Sequence, residues 1–289
     1  MLRVIAFASL IAIATLIAPK ALAVHMDVIY GADNRHDYFE VADPFWRSRA
    51  DGTVALLRAA NVEDLGDGTS RLRTSPFGTG SGLCASEPYY EQETAAFCSG
   101  FLVTPDTIVT AGHCVRTQVA CDNTRFVFGF RLEASGAQPR AVPTSQVFSC
   151  ARLVHAVANP SGEDFAVVKL DRPVTHAEPV LLQNTARPPV GTGLVVMGHP
   201  SGLPLKIADG AEARVVRDEY MVANLDTYGG NSGSAVFNAL TGEVEGILVR
   251  GEMDYIYKNG CRVSNICVEE GCRGEDVTLI ERVRPYLGN

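Results

Sequence analysis

The sequence has few basic residues and no basic run. Among its 289 residues, 25 are lysine or arginine and 33 are aspartate or glutamate, which gives a net charge of −8. A nucleic-acid-binding surface needs clustered positive charge, so this composition argues against a nucleic-acid partner. Hydrophobic residues make up 46% and charged residues 20% of the chain, which excludes disorder as the main state. The sequence has no evident internal repeat or low-complexity segment.

Beyond the N-terminus, no hydrophobic run is long enough to span a membrane. The N-terminus has a basic start at Arg3, an apolar run over 4–18 and a small-x-small pattern at 21–23. These features predict a cleaved secretory signal peptide, residues 1–23, rather than a membrane helix, because the run is short and a proline follows it. Its removal leaves 23 basic and 33 acidic residues. We therefore expect an acidic mature protein that is secreted or periplasmic.

Short runs of β-forming residues recur from residue 95 onward, with turn-forming residues between them. They lie at 101–103, 107–110, 126–132, 165–170, 193–197, 220–225, 235–237 and 244–250. Many short strands without long helices between them predict an all-β sandwich or barrel. Residues 24–75 predict an irregular segment, and the four prolines of 171–192 predict a connector between two halves.

One helical pattern is present, at the end of the chain. Val277, Ile280, Val283 and Leu287 lie at helical spacing. They predict a C-terminal helix over 277–287.

Three residues carry the strongest chemical signal. Ser232 lies in the segment GGNSGS, whose glycines let the backbone turn tightly and direct amide groups at one point. His113 follows an apolar run, and Asp164 begins another. Taken alone, each has an ordinary alternative: a glycine-serine turn, a structural histidine and a turn residue before a strand. Acyl transfer by serine needs a nucleophile, a base and an orienting group, and the three together supply them.

The order His, Asp, Ser and the flanking residues resemble the chymotrypsin-like, or trypsin-fold, serine endopeptidases. The matching motifs are TAGHC around His113, DFAVVKL from Asp164 and GNSGS around Ser232. An α/β-hydrolase, in which the serine comes first, does not fit this order. The resemblance covers about residues 95–289 and implies two six-stranded antiparallel β-barrels with a C-terminal helix. His113 and Asp164 would lie on the first barrel and Ser232 on the second.

The resemblance also implies the reaction and the domain layout. Ser232 would attack a peptide carbonyl, His113 would be the base, Asp164 would orient it, and the backbone N–H groups of Gly230 and Ser232 would bind the oxyanion. No metal or organic cofactor is required. The expected layout is a possible pro-piece at 24–27 and a peptidase domain at 28–289. Within that domain the first barrel spans about 76–172, the second about 173–276, and the helix 277–287.

Two segments are similar to the bacterial glutamyl endopeptidases: GGNSGS around Ser232 and the segment that begins at Val28. Asn231 stands where trypsin and its close relatives carry the aspartate that pairs with a new N-terminal amine, so that activation switch is in doubt. The segment VIYGADNRH from Val28 resembles the mature N-terminus of the glutamyl enzymes. In those enzymes the terminal amine helps bind the acidic side chain of the substrate. Val28 is thus a candidate processed terminus, and an edge strand is the alternative.

The residue preference before the cut bond stays open between basic and acidic. Leu248 replaces the histidine of the glutamyl enzymes, whereas Thr227 matches their threonine. Asp226 has the spacing of the aspartate by which trypsin selects basic residues, and a buried Asp226 would favour lysine or arginine. Arg250 could neutralise Asp226 or recognise an acidic group. These four residues and Val28 are the candidate substrate-binding residues.

The eight cysteines are interpreted as disulfides, because the late ones lack the CxxC spacing and nearby histidines of a zinc site. Cys98 lies 16 positions before Cys114, across a predicted hairpin, so a bond between them would fix the loop of His113. Fixing it reduces 105 possible pairings to 15. We expect Cys121 to pair with Cys150. Two of the three late cysteines, Cys261, Cys267 and Cys272, would pair with each other and leave the third for Cys84.

The expected partners are polypeptide substrates, and we expect a monomer without a membrane span or nucleic acid. Two alternatives stay open. One is a catalytically silent relative that acts as a binding module. The other is a toxin-like protease whose pocket opens only when a partner binds.

Overall fold

Apolar strands dominate the structure, which is a computed structural model and describes residues 28–184, 187–269 and 271–287. The predicted signal peptide 1–23 and the possible pro-piece 24–27 lie outside the described residues. None of the described helices is long and apolar enough to cross a membrane.

Twenty-two strands are described. They are β1 (Ile29–Tyr30), β2 (Arg35–Asp37), β3 (Thr53–Arg58), β4 (Val62–Asp64), β5 (Thr69–Leu72), β6 (Ser75–Pro76), β7 (Glu93–Thr94), β8 (Cys98–Thr104), β9 (Thr107–Thr110), β10 (Thr124–Val127), β11 (Ala141–Pro143), β12 (Val147–Ala158), β13 (Asp164–Leu170), β14 (Gly193–Gly198), β15 (Lys206–Val216), β16 (Tyr220–Ala223), β17 (Ala235–Asn238), β18 (Val244–Arg250), β19 (Tyr255–Lys258), β20 (Cys261–Ser264), β21 (Ile266–Cys267) and β22 (Glu275–Leu279). The helices are short: α1 (Pro44–Ala50), α2 (Phe77–Gly80) and α3 (Gln118–Asp122), with 3-10 turns at Tyr38–Glu40, Ala59–Asn61, Thr144–Gln146, Pro200–Gly202, Ile280–Arg282 and Arg284–Tyr286.

The first barrel closes in the strand order β10-β12-β13-β9-β8-β3, and all its pairings are antiparallel. It begins at Thr53, so the predicted start near 76 is wrong, and 24–75 is not irregular throughout. The reason is that β3 has the sequence TVALLR, in which five consecutive residues are buried. A strand buried on both faces has no polar-apolar alternation to mark it in the sequence.

The second barrel has the order β14-β17-β18-β22-β16-β15, and pairing of β14 with β15 closes it. Strand β2, from the N-terminal segment, adds to the outside of β15. The barrel ends at Leu279 rather than near 276. Two six-stranded antiparallel barrels are therefore confirmed. The described part of 171–192 contains no strand and connects them.

The predicted helix over 277–287 is wrong. Val277 and Leu279 belong to β22, whose five residues are all buried between β16 and β18. Only the two 3-10 turns follow, and Pro285 lies in the second of them. Apolar residues three apart fit helical spacing, but here the barrel takes the first of them into its last strand, where tertiary pairing outweighs local periodicity.

Four disulfides cross-link the described residues, and no cysteine is free. The bonds are Cys98–Cys114, Cys121–Cys150, Cys84–Cys261 and Cys267–Cys272. All four fit the expected pairings. Disulfides at this density are typical of proteins in an oxidising compartment.

Candidate functional site

A cavity of about 490 Å3 receives residues from both barrels. His113 and Asp164 reach it from the first barrel, and Ser232 reaches it from the second. The fold thus brings together three residues that are separated by 51 and 68 positions along the chain. A cleft between two rigid barrels is a common position for a binding or catalytic site.

His113 and Asp164 form a closely hydrogen-bonded pair. His113 Nδ1 lies 2.8 Å from Asp164 Oδ2, and the backbone N–H of His113 donates to Oδ1 at 3.0 Å. An ionised carboxylate only accepts hydrogen bonds, so Nδ1 carries the proton and Nε2 keeps its lone pair. The histidine side chain is 29% exposed, whereas the aspartate side chain is 6% exposed. The pair therefore presents a base to the cavity and shields its carboxylate.

The loop of His113 is fixed by its neighbours on both sides. A Cβ atom at Gly112 would lie 1.8 Å from the carbonyl oxygen of Val157, so only glycine permits this close approach to β12. On the other side, Cys114 is bonded to Cys98 at the start of β8. The histidine is held between a backbone contact and a covalent bond.

The same disulfide lies beside the serine loop. Ser99, which follows Cys98, donates from its backbone N–H to the Ser232 carbonyl at 2.8 Å. The Ser99 hydroxyl donates to the Gly230 carbonyl at 2.9 Å. Strand β8 is therefore the element that sets the serine loop against the histidine loop.

The turn before Ser232 fixes the orientation of the Gly230 amide group. Asn231 N–H donates to the Tyr228 carbonyl at 2.9 Å, and Gly230 has φ +100°, as the third position of a type II turn requires. The Gly229 carbonyl accepts from Ser201 N–H at 2.6 Å. Because C=O and N–H point in opposite directions across a trans peptide, the Gly230 N–H points away from Ser201.

The N–H groups of Gly230 and Ser232 have no hydrogen-bond acceptor among the described residues. They are the two donors that the sequence predicts for the oxyanion. Among the described residues, Ser232 Oγ and His113 are not hydrogen-bonded to each other. In structures without substrate, hydrogen bonds between catalytic groups are often long and shorten when substrate binds.

The structure places Asp226 away from the cavity, contrary to the substrate-binding role considered for it. Its carboxylate accepts from the backbone N–H groups of Tyr30 at 2.7 Å and Asn34 at 2.8 Å. The residue is 4% exposed, and burial raises the pKa of Asp226 to about 6. Asp226 thus fixes the N-terminal segment to the second barrel.

Thr227, Leu248 and Val28 are also buried rather than open to the cavity. Thr227 is 0% exposed, and its hydroxyl donates to Glu275 at 3.5 Å. Leu248 packs in the core of the second barrel. The Val28 carbonyl accepts from Thr227 N–H at 3.4 Å, beside the parallel pairing of β1 with β21.

Of the candidate specificity residues, Arg250 does line the cavity. Sequence reasoning missed three further charged residues there: Arg116, Asp254 and Arg262. Arg116 follows His113 by three positions, which is a usable signal. The other two lie in and beside the β19–β20 hairpin, where no motif marks them.

Comparison with known proteins agrees with the fold. The structure is similar to the Vibrio cholerae VesB protease, with 15% identity, 89% of this chain and 67% of that chain covered, and a TM-score of 0.52. It is similar to Rv3671c from M. tuberculosis in its inactive form, with 14% identity, 90% of this chain and 95% of that chain covered, and a TM-score of 0.50. A Glu endopeptidase in complex with MPD gives 18% identity, 89% and 96% covered, and a TM-score of 0.49. The first two likenesses support the fold.

Among curated proteins, no sequence matches this chain significantly. The family of trypsin-like peptidase domains, however, matches residues 98–247. That match spans more than half of the 289 residues and includes His113, Asp164 and Ser232. The chain therefore belongs to the trypsin-like peptidase domain family, and its enzyme class is that of the serine endopeptidases.

Proposed function

We propose that the protein is an exported, monomeric endopeptidase that cleaves polypeptides with Ser232 as nucleophile, His113 as base and Asp164 as the orienting carboxylate. One observation carries the proposal. His113 Nδ1 lies 2.8 Å from Asp164 Oδ2, and the N–H groups of Gly230 and Ser232 have no acceptor among the described residues. His113, Asp164 and Ser232 line one cavity.

Acylation follows from this arrangement. Ser232 Oγ forms a bond to the peptide carbonyl carbon while its proton passes to His113 Nε2. The carbonyl π electrons move to oxygen, and the N–H groups of Gly230 and Ser232 stabilise the negative charge. When the C–N bond breaks, the leaving amine takes the proton from Nε2. Asp164 holds the imidazole in its tautomer and stabilises the imidazolium throughout.

Deacylation repeats the same steps with water. A water molecule loses a proton to His113 Nε2 and bonds to the acyl carbon. The Ser232 C–O bond then breaks, and Oγ recovers the proton. The net result is one hydrolysed peptide bond and an unchanged enzyme.

For the substrate, we propose polypeptides with acidic residues beside the cut bond. Two exposed arginines, Arg116 and Arg262, line the cavity, and Arg262 also donates from Nη1 to the Ser81 carbonyl at 3.1 Å. The two carboxylates of the cavity are engaged, because Asp164 binds His113 and Asp254 accepts from Gly229 N–H at 3.1 Å. Since Asp226 binds backbone amides instead, the reason for a basic preference is removed.

A peptide-library digest tests the substrate class. We expect cleavage sites enriched in glutamate and aspartate near the cut bond, and we expect rising salt to weaken that enrichment. Cleavage mainly after lysine or arginine would contradict the proposed preference and leave the proposed triad intact.

Replacement of the nucleophile tests the mechanism. Ser232→Ala should lower kcat for peptide cleavage on the order of a millionfold, while the melting temperature stays nearly unchanged. Ser48→Ala, an exposed serine on α1, is the matched control and should cleave at the wild-type rate. Retained cleavage by the Ser232 variant would reject the triad.

The proposed compartment rests on the signal-like N-terminus and the four disulfides. Expression of the full chain with fractionation should recover protein that begins after Ala23 outside the cytoplasm. Recovery of unprocessed, cytoplasmic protein would contradict export.

A further inference from the structure

Arg250, at the end of β18, lines the same cavity as the His113–Asp164 pair and contacts the carboxylate. Its Nη1 lies 3.7 Å from Asp164 Oδ2, the oxygen that also receives His113 Nδ1. The Arg250 side chain is 8% exposed. Its guanidinium therefore lies against the same carboxylate oxygen that binds His113.

The same guanidinium caps the turn that leads into Asp164. Its Nη1 donates to the Asn159 carbonyl at 3.0 Å, and its Nη2 donates to the Gly162 carbonyl at 2.8 Å. The turn is tight, because Gly162 N–H donates back to Asn159 at 3.2 Å. Two residues after Gly162, the chain enters β13 at Asp164. A shift of this turn would carry the carboxylate with it.

The guanidinium is itself anchored on the second barrel. Arg250 Nε donates to Asp276 Oδ2 at 3.2 Å, and the Asp276 side chain is 8% exposed. An arginine fork is planar, so three fixed acceptors determine its orientation. Arg250 thus connects the second barrel to the turn and the carboxylate of the first.

Charge balance argues in the same direction. Asp164 and Asp276 are both buried carboxylates, and Arg250 lies between them. Removal of one partner from a buried ion pair leaves an uncompensated charge. Among the described residues, Arg250 is the only arginine or lysine in contact with Asp164, and His113 is charged only when it takes up a second proton.

We propose that Arg250 is a positioning residue that holds Asp164 in place and offsets part of its charge, rather than a substrate-binding residue. The inference rests on the proposed function of the triad. The Arg250 guanidinium is hydrogen-bonded to Asp276, Asn159 and Gly162, so its donors are used within the protein. The positioning role therefore replaces the substrate-binding role considered for Arg250 from the sequence.

The pH dependence of kcat/KM can test this positioning role. On the second barrel, Arg250 is faced by Asp276, which also pairs with Arg273, and Glu252 lies beside that arginine. On the first barrel, Asp164 and His113 face it. The cavity adds Arg116, Asp254 and Arg262. Among these residue types, only histidine ordinarily changes charge between pH 5 and 8.

Arg250→Met is the test variant. Loss of the nearby positive charge should favour the imidazolium of His113, so the acid limb of the kcat/KM profile should move to higher pH by about half to one unit. Displacement of Asp164 should also lower kcat about 10- to 100-fold. Arg273→Met, which removes the other arginine at Asp276, is the control and should keep the wild-type profile.

Arg250→Lys separates charge from geometry. A lysine keeps the positive charge but not the planar fork. We expect the acid limb to stay at its wild-type position while kcat falls several-fold. This variant also keeps the test decisive if Arg250→Met does not fold.

The outcomes are distinguishable from failure of the proposed function. If wild-type protein cleaves peptides and both Arg250 variants keep its kcat and pH profile, the positioning role is overturned. If Arg250→Met raises KM for acidic peptides alone, with kcat and the profile unchanged, Arg250 is a substrate-binding residue instead. If folded wild-type protein neither cleaves peptides nor reacts with a fluorophosphonate, the proposed function itself fails.

Discussion

The two halves of the site are held by different kinds of interaction. On the first barrel, two side-chain features add to the close backbone approach at Gly112: the Cys98–Cys114 disulfide and the Asp164 carboxylate that binds His113. On the second barrel, the backbone holds the site: a glycine at φ +100° and peptide groups bound to Ser201 and Ser99. The difference has a chemical reason, because a base needs its side chain oriented, whereas an oxyanion site is made of backbone N–H groups.

The halves also differ in what lies behind them. Asp164 is supported by Arg250 and by Thr278 from the opposite barrel. The serine loop follows Asp226 in the chain, and the carboxylate of Asp226 binds the N-terminal segment. A buried arginine therefore supports the Asp164 side of the site, and the N-terminal segment supports the serine side.

The largest expected effect in this comparison comes from the backbone half. A methyl group at Gly230 would lie 2.7 Å from the His199 carbonyl oxygen, at a φ that L-residues rarely adopt. Gly230→Ala should therefore turn the N–H away and lower kcat about 100- to 1,000-fold, the usual effect of losing one oxyanion donor. Gly229→Ala, whose methyl would meet Asp254 at 3.3 Å and whose φ is not positive, should lose less than tenfold. Steady-state kinetics on one peptide compare them, and equal losses would contradict the assignment of the donor.

Two disulfides allow the positioning of the site to be measured separately from the stability of the fold. The double variant Cys98→Ala/Cys114→Ala opens a loop of 16 residues, and Cys121→Ala/Cys150→Ala opens one of 29. Both should lose about 3 kcal/mol of unfolding free energy. Only the first should also lower kcat, because it alone joins the histidine loop to β8. Urea unfolding and kinetics at low temperature measure the two effects, and an equal loss of kcat in both variants would refute this division.

Asp226 gives the smallest and most pH-dependent effect. Burial raises its pKa from an ordinary 3.8 to about 6, so the native state binds the proton more tightly than the unfolded chain does. Its contribution to stability is full below pH 4 and is lost as pH rises through 6, on the order of 2–3 kcal/mol. The melting temperature of wild type minus that of Asp226→Asn should therefore fall between pH 4 and 7. The exposed Asp209→Asn should show no such trend, and a flat difference for Asp226 would contradict the assigned burial cost.

Sequence reasoning reached the side-chain half of the site because its parts lie beside short strands in recognisable segments. His113 follows β9 by three positions, and Asp164 begins β13. The four disulfides also fitted the expected pairings. The short strands indicated an all-β sandwich or barrel, and the resemblance to the trypsin-fold endopeptidases implied the two barrels. Strand β9 lies at its predicted bounds, 107–110.

What the sequence could not reveal depends on contacts between distant segments. The bond from Tyr30 to Asp226 spans 196 positions, and the contact from Arg250 to Asp164 spans 86. The spacing of Asp226 predicts a pocket aspartate, whereas in the structure the N-terminal segment covers its carboxylate. Strand β3 and the end of β22 were missed for a related reason, since burial on both faces removes the period of two.

Covalent labelling tests the central claim most directly. A fluorophosphonate reacts with a serine only when a neighbouring base and oxyanion donors activate it. The folded mature protein should incorporate one equivalent, mapped by peptide mass spectrometry to Ser232, and His113→Ala should abolish the reaction while the protein stays folded. No labelling of the folded wild-type protein, or labelling at another serine, would contradict the account.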